Sequence, residues 1–538
     1  MNKDVYLREV LEQMPRLLGL LDTNPLTKTY GCFDREYWHY NTTDTPSARK
    51  QEAVLTLALL YKIKHKDNAY YNNKKILEWI NAGIDFWERI QAKDGSFSEW
   101  YPNEHSFVAT SFSSYAVSET LLILGSKIRN RHSVISSLRK AGNWLKGRYE
   151  PKVQNQQSGS ALSQLNIYLL TKNKCYLKDA EKKVNNLIRN QTKEGWWFEY
   201  GGPDIGYLSL TIDYLAKYYA KRPSMDLRRA IEKAVSFISY FIHPDLSAGG
   251  CYASRNTEYL IPSGFEIVGR KSSKGSKAGY AGAVSSFVRE AINKKEAVSP
   301  FSLDDRYLSY IAYNWLQAFL SAGKPSQKKQ RQRFEENFSK DFKLSKIYIL
   351  SNPCFYFIMN YDKGTFRVFF KKTGKGYTDS GVLVRSGSQS YILGLSGSAA
   401  RFFYRDNKLE LKGSMRKLSK NVLAPGKNIC LRLFQATIGR SGIASSFIKN
   451  RLRDMLVMKS RKTDIGFSRE IYFLEDSIKV VDRLSNVRMP GKIVAGDKFS
   501  YLFVPSANYF QASDINNFPS EASVTKRRDA VEIIRKIK

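Results

Sequence analysis

The interval at which apolar residues recur changes once along this chain, and that change constrains the fold more than any other feature. From about residue 47 to 323, apolar side chains fall at i, i+3, i+4 and i+7, most clearly over 47–64, 74–92, 108–126, 131–148, 159–171, 174–190, 206–221, 225–242 and 305–323. That is the spacing of one face of an α-helix. Beyond residue 345 the interval becomes two, in FYFIMNY (355–361), TFRVFFKK (365–372), SYILGLSG (390–397), ICLRLFQATIG (429–439) and SIKVVDRLS (477–485), with Asp-Lys-Gly, Pro-Gly and Asp-Asn turn signals around them. Such runs read as antiparallel strands. A block of helices followed by a block of strands predicts an α+β multidomain chain. The expected order is an (α/α) toroid of helical hairpins over residues 1–323, a polar linker over 324–345 and an antiparallel β-sandwich over 346–538.

The loops between helices carry the first hint of function. KDGSFSEWYPNEHSF (93–107), KEGWWFEYGGPDIGY (193–207) and GGCYASRNTEYLIPSGFE (249–266) are aromatic and glycine-rich, and they recur after every second helix. Hairpins that stack into a ring gather their alternate loops at one end. The three loops are therefore expected to line a common cleft.

At 538 residues the chain is long enough for two cores. It carries 86 Lys and Arg against 50 Asp and Glu, a formal charge of +36, which points to an acidic partner. No helix-turn-helix, zinc-finger, RRM or KH signature supports nucleic acid, so an acidic glycan or an anionic membrane surface fits the charge instead. No run of about 18 apolar residues reads as a membrane span. The N-terminal stretch has acids among its apolar residues and lacks a small-residue cleavage site, so a cytoplasmic location is expected. The five cysteines are scattered and odd in number, which suits a reducing compartment and neither a disulfide framework nor a CxxC metal site.

NQQSGSALSQLNIYLL (155–170), EGWWFEYGGPDIGYLSLTIDYLA (194–216) and SRNTEYLIPSGFE (254–266) each look like toroid segments. Together with the helices-then-strands order they resemble the heparinase II/III-like polysaccharide lyases and their alginate-lyase relatives. The resemblance covers most of the chain. It implies that a uronic-acid-containing polymer is cleaved by β-elimination, with C5 losing a proton and C4 its substituent. The chain departs from that family in one respect, because its five histidines, His39, His65, His105, His132 and His243, all precede residue 244. The catalytic or zinc-binding histidine that such lyases often take from the sandwich cannot be carried over, so no metal or cofactor is expected.

Removing a proton beside a carboxylate requires that the carboxylate be neutralised and that a base and an acid stand beside C5 and O4. Asn103, His105, Arg255 and Asn256 offer donors for the first role, with Asn103 and His105 just before a helix N-terminus. Capping and packing compete as explanations for those two. Tyrosine is the common acid and base in such lyases, provided nearby cations lower its pKa. Tyr207 resembles the family's toroid tyrosine best, and Tyr200 and Tyr259 sit in the same loops. His39, flanked by Trp38 and Tyr40, together with Trp100, Trp196 and Trp197, offers rings for stacking on sugars. Arg385, in DSGVLVRSG (379–387), is expected to add a cation at the domain interface.

Two other readings remain open. A glycoside hydrolase on the same toroid needs two carboxylates about 5–10 Å apart, for which Glu199, Asp204, Glu104 and Asp94 are the loop acids available. A non-catalytic protein that binds an acidic glycan fits the charge equally well.

Overall fold

In a computed structural model the chain is described over residues 2–270, 279–296, 299–323, 331–418, 425–438, 461–488, 490–496 and 521–538. Its first part is helical. The elements are α1 (Asp4–Leu18), α2 (Arg35–Trp38), a 3-10 turn (Ala48–Glu52) running into α3 (Ala53–Lys62), α4 (Lys74–Arg89), α5 (Phe107–Leu124), α6 (Arg131–Leu145), α7 (Gln154–Thr171) and α8 (Lys174–Asn190). They continue as α9 (Ile205–Lys221), α10 (Met225–Ile238), α11 (Ser263–Arg270), α12 (Gly279–Asn293), α13 (Asp305–Ile311) and α14 (Tyr313–Ser321).

α5, α7, α9, α11 and α14 form the inner ring, each packed on the next, with α3 closing it between α14 and α5. Burial on most sides explains why α5 reads as apolar without a clear stripe. It is long and apolar enough, by length and composition, to cross a bilayer, but most of it lies inside the core. α4, α6, α8 and α10 are amphipathic and pack outside the ring.

One turn is built twice, a hundred residues apart. QAKDGSFSEW (91–100) and QTKEGWWFEY (191–200) share their glutamine, glycine and glutamate positions. The Gln91 amide donates to the carbonyls of Gly95 and Ser137, and Gln191 does the same to Gly195 and Ala230, at 2.8–3.1 Å. Both glycines have positive φ, and a Cβ there would meet the Lys140 or Lys233 carbonyl at 2.4 or 2.6 Å. Glycine is required at both positions.

The strands follow: β1 (Phe338–Phe342), β2 (Ile347–Ser351), β3 (Phe355–Asn360), β4 (Thr365–Phe370), β5 (Lys375–Asp379), β6 (Val382–Ser386), β7 (Gln389–Leu393), β8 (Ala399–Arg405) and β9 (Lys408–Leu418). A helix, α15 (Pro425–Ala436), precedes β10 (Arg461–Phe473), β11 (Ile478–Ser485), β12 (Pro490–Ala495), β13 (Glu521–Lys526) and β14 (Ala530–Ile537). β1 to β5 form an antiparallel meander, and the other strands form a second antiparallel sheet in the order β12-β6-β7-β9-β10-β11-β14-β13, with β8 also on β9. One face of each sheet meets the other in a core that includes Phe357, Phe366, Leu411, Phe467 and Val480. Other residues of the meander, among them Tyr356, Ile358 and Phe369, join the toroid core instead. Arg469, Arg535, Asp379 and Asp482 form a buried ion-pair quartet across β5, β10, β11 and β14, with contacts of 2.5–3.0 Å.

Two sequence expectations need correction. The segment read as a linker contains β1, which pairs with β2; its residues 324–330 lie outside the described part. ICLRLFQATIG, read as a strand, is helix α15 over its described residues apart from a final turn. Pro425 opens that helix at the position where its missing N–H costs nothing.

The β3–β4 hairpin grips the toroid loop at 249–256. Lys363 Nζ donates to the carbonyls of Cys251 (2.6 Å) and Ala253 (2.9 Å) and to Asn256 Oδ1 (2.8 Å). Asn360 donates to the Tyr252 carbonyl, Thr365 to that of Cys251, and Arg367 to that of Gly249.

Candidate active site

The loops predicted to converge do so, and buried acids join two of them. Asp204 caps α9 through the Tyr207 N–H and also accepts from the Arg255 and Thr257 N–H groups and the Thr257 hydroxyl. Glu199 accepts from the Asn155 N–H and amide, each at 2.7 Å, and its own carbonyl accepts from Ser254 Oγ. Burial pushes the Glu199 carboxyl well above the usual carboxylate range. His105, Asn103, Tyr200 and Asn256 all have positive φ, between 49° and 59°. Non-glycine residues held there are strained, and all four sit in these loops.

The loops enclose a cleft of about 1210 Å³. Of the predicted residues, His105, Tyr200, Tyr207, Arg255, Tyr259 and Trp100 line it. Among the lining residues that sequence reasoning missed are Arg49 before α3, Trp144 and Arg148 from the end of α6, Tyr149, Asn155 on α7, and Arg306, Tyr307 and Tyr310 on α13. Tyr307 and Tyr310 are three apart just after the Asp304 cap, so they share a helix face. That spacing was the one signal available for them.

His105 is held through its Nδ1. Its Nδ1 lies 2.9 Å from Asp94 Oδ2 and 2.8 Å from Ser96 Oγ. The same Asp94 oxygen accepts from the Trp144 indole at 3.0 Å, while Oδ1 accepts from the Ser96 N–H and hydroxyl. Burial works against the Asp94 charge, but the hydrogen bonds from His105 and Ser96 outweigh it and hold the carboxyl well below its usual range. An ionised aspartate thus fixes the imidazole.

The tyrosines behave differently from expectation. Burial, and then the neighbouring Tyr307, Tyr259 and Tyr200, push the Tyr207 phenol well above its ordinary pKa. Tyr259 is shifted the same way by burial, with only a small opposing effect from Arg49. The nearby cation that was to lower a phenol is Arg255, and it stacks on the Tyr200 ring, 4.9 Å from its centroid. Tyr207 therefore keeps its proton at neutral pH. In that state the phenol has a proton to give and cannot serve as a base.

Among the described residues, each guanidinium that lines the cleft lies over an aromatic ring. Arg49 covers Tyr310 (4.0 Å), Arg148 covers Trp144 (4.3 Å), Arg306 covers Trp100 (4.3 Å) and Arg255 covers Tyr200. Arg255 Nε is buried with no hydrogen-bond partner among the described residues. Six carboxylates, from Glu36, Glu99, Glu104, Glu150, Asp304 and Asp305, stand against these four cations among the described lining residues. Among the described lining residues there is no cationic surplus.

Other predicted residues sit elsewhere. Trp196 and Trp197 are in the toroid core, their indoles donating to Glu194 and to the Leu187 carbonyl, so they cannot stack on a sugar. His39 is exposed and Trp38 half-buried with its indole on the Leu20 carbonyl; neither lines the cleft, although Glu36 beside them does. Asn256 supports the loop from beneath through Lys363, and Asn103 reaches the Gln435 carbonyl of α15 at 3.5 Å. Arg385 is exposed on β6, beside β12 and outside the cleft lining. The four acids considered for hydrolysis all have structural partners: Asp94, Asp204 and Glu199 as above, and Glu104 accepting the N–H groups of Glu99 and Trp100 at 2.8 Å. Among the described residues no three His, Cys, Asp or Glu side chains meet as a metal site requires.

No family model matches the sequence, and no curated protein matches it. Solved structures do. The Streptomyces coelicolor A3 chondroitin AC lyase, in complex with chondroitin sulphate, superposes on 99% of this chain and 76% of its own with a TM-score of 0.57 at 8% identity. Heparinase III matches 99% of this chain and 87% of its own at 0.44 and 11% identity. The unsaturated glucuronyl hydrolase specific for heparin matches 59% of this chain and 96% of its own at 0.39 and 10%. The chain shares the fold of that chondroitin AC lyase, a helical toroid in front of antiparallel β-sheets.

Proposed function

We propose that this protein is a carbohydrate-active enzyme that cleaves a uronic-acid-containing polysaccharide by β-elimination. One observation carries the reading: a histidine fixed by an ionised aspartate and a tyrosine kept protonated by its surroundings line the same cleft. His105 takes the C5 proton through Nε2, the electron pair forms the C4–C5 double bond, and the C4–O4 bond breaks as Tyr207 gives its proton to O4. Arg255, which lines the cleft, takes the substrate carboxylate, and the bond it makes strengthens as the dianion forms. Separate acid and base groups suit a sugar whose C5 hydrogen and C4 oxygen lie on opposite faces. Trp100, Trp144 and Tyr149 offer ring surface to the flanking sugars.

The test is incubation with heparosan, heparan sulfate, hyaluronan, chondroitin and alginate, following the ultraviolet absorbance of an unsaturated product. A rise with one polymer is expected, and Tyr207→Phe should lower that rate by about 10²–10⁴-fold while binding is retained. New reducing ends without absorbance would instead establish hydrolysis.

A further inference from the structure

The cationic surplus of the chain is concentrated in its β domain. Residues 346–538 hold 35 Lys and Arg against 15 Asp and Glu, a surplus of 20, whereas the longer segment 1–323 holds 44 against 32, a surplus of 12. Strand register shows where part of it goes. On the solvent-facing side of the large sheet, from β8 through β9, β10 and β11 to β14, nine described cations stand against four carboxylates. The opposite side of the same strands packs against the meander.

Many of these cations directly face one another. Arg401 is opposite Lys412, Arg405 opposite Lys408, Arg416 opposite Lys462, and Lys479 opposite Lys536. Like charges in direct cross-strand register destabilise a sheet, so folding alone does not favour this arrangement. Each pair spans about 5 Å, and alternate residues along a strand are about 7 Å apart, which makes an extended cationic lattice. Arg401, Lys462 and Lys479 have no ion pair among the described residues. Phe403, between Arg401 and Arg405 on the same face, is 60% exposed.

We propose that this face is a second binding surface, outside the cleft, for a linear acidic polysaccharide. The occupant follows from charge complementarity over an extended strand-like surface and from an exposed ring that suits the C–H face of a sugar. The choice of a glycan rests on the function proposed above; the cationic lattice does not. The surface holds a long chain and raises its concentration at the cleft, while a short oligosaccharide engages the cleft alone.

The test measures binding to immobilised heparosan over a range of NaCl concentrations, for the wild type and for the triple variant Arg401→Gln/Lys412→Gln/Lys462→Gln. These positions are exposed, so the fold is expected to survive. The single variant Lys462→Glu, which faces Arg416, should raise the melting temperature as it weakens binding. The triple variant should bind polymer at least about tenfold more weakly, with the slope of log K against log salt falling by roughly one per cation removed. Its affinity for a heparosan tetrasaccharide should not change. Equal polymer affinity for the two proteins, or no heparosan binding by the wild type at low salt, overturns the proposal. So does tighter binding to phosphatidylserine vesicles or duplex DNA through the same residues, which would replace the glycan as occupant. No step here needs turnover, so absence of an unsaturated product would sink the lyase reading and leave this surface standing.

Discussion

Replacing Asp94 with asparagine tests the proposed base without touching it. Asp94 Oδ2 serves His105 Nδ1 and the Trp144 indole, and Oδ1 serves Ser96 twice. An asparagine can keep its oxygen toward Ser96 only by presenting an N–H₂ group to His105 and Trp144. The indole then faces a donor, and the imidazole must take the other tautomer or turn. A hydrogen bond to a charged group contributes about 1.5–3 kcal/mol. Asp94 is 40% exposed, so solvent screens part of that and the lower end applies. About 1.5–2 kcal/mol corresponds to roughly a ten- to thirtyfold loss of kcat. KM should change less than kcat, because Asp94 does not line the cleft and reaches a flanking sugar only through the Trp144 ring. The assay is initial rate by absorbance on whichever polymer proves to be the substrate, with circular dichroism to confirm that the variant folds. A folded Asp94→Asn variant whose kcat stays within about twofold of wild type would refute the role given to this pair.

Two further predictions concern stability. Asp482→Asn leaves Arg469 and Arg535 sharing Asp379 alone in the buried quartet, which should cost about 3–5 kcal/mol and lower Tm by roughly 6–15 °C; a shift under about 2 °C would mean that water or rearrangement compensates. Glu199 has a raised folded-state pKa, so its contribution is fully present below the unfolded value and is lost as pH rises through the folded one. Glu199→Gln should therefore match wild type near pH 5 and gain on it by pH 8, and a melting difference that does not change with pH would contradict this.

Much of the fold was legible because burial writes a period into the sequence. The nine helical runs coincide with helices to within a few residues, apart from the starts of 47–64 and 159–171 and the split of 305–323 into α13 and α14. α1, α11 and α12 were passed over. ICLRLFQATIG misled because its apolar residues fit either period, and Pro425, which marks a helix start, was read as a turn. The site was legible to the level of loops. Glycine and aromatic content located 93–107, 193–207 and 249–266, yet composition does not say which way a side chain points, so Trp196 and Trp197 passed for ligand-facing rings. Arg49, Asn155 and Tyr310 come from helical segments distant in sequence and meet only when the ring closes. The positive surplus pointed to an acidic partner without placing the charge, because net charge carries no address.

The grip of Lys363 on the 249–256 loop bears on how the molecule can be divided. Arg255 enters the cleft on a loop whose carbonyls are tied to the β3–β4 hairpin. The toroid supplies the residue, and its neighbour supplies the residue's position. A helical half parted from the meander would lose both its arginine's aim and the strand residues that complete its core, so the unit that can be moved intact is the pair of domains.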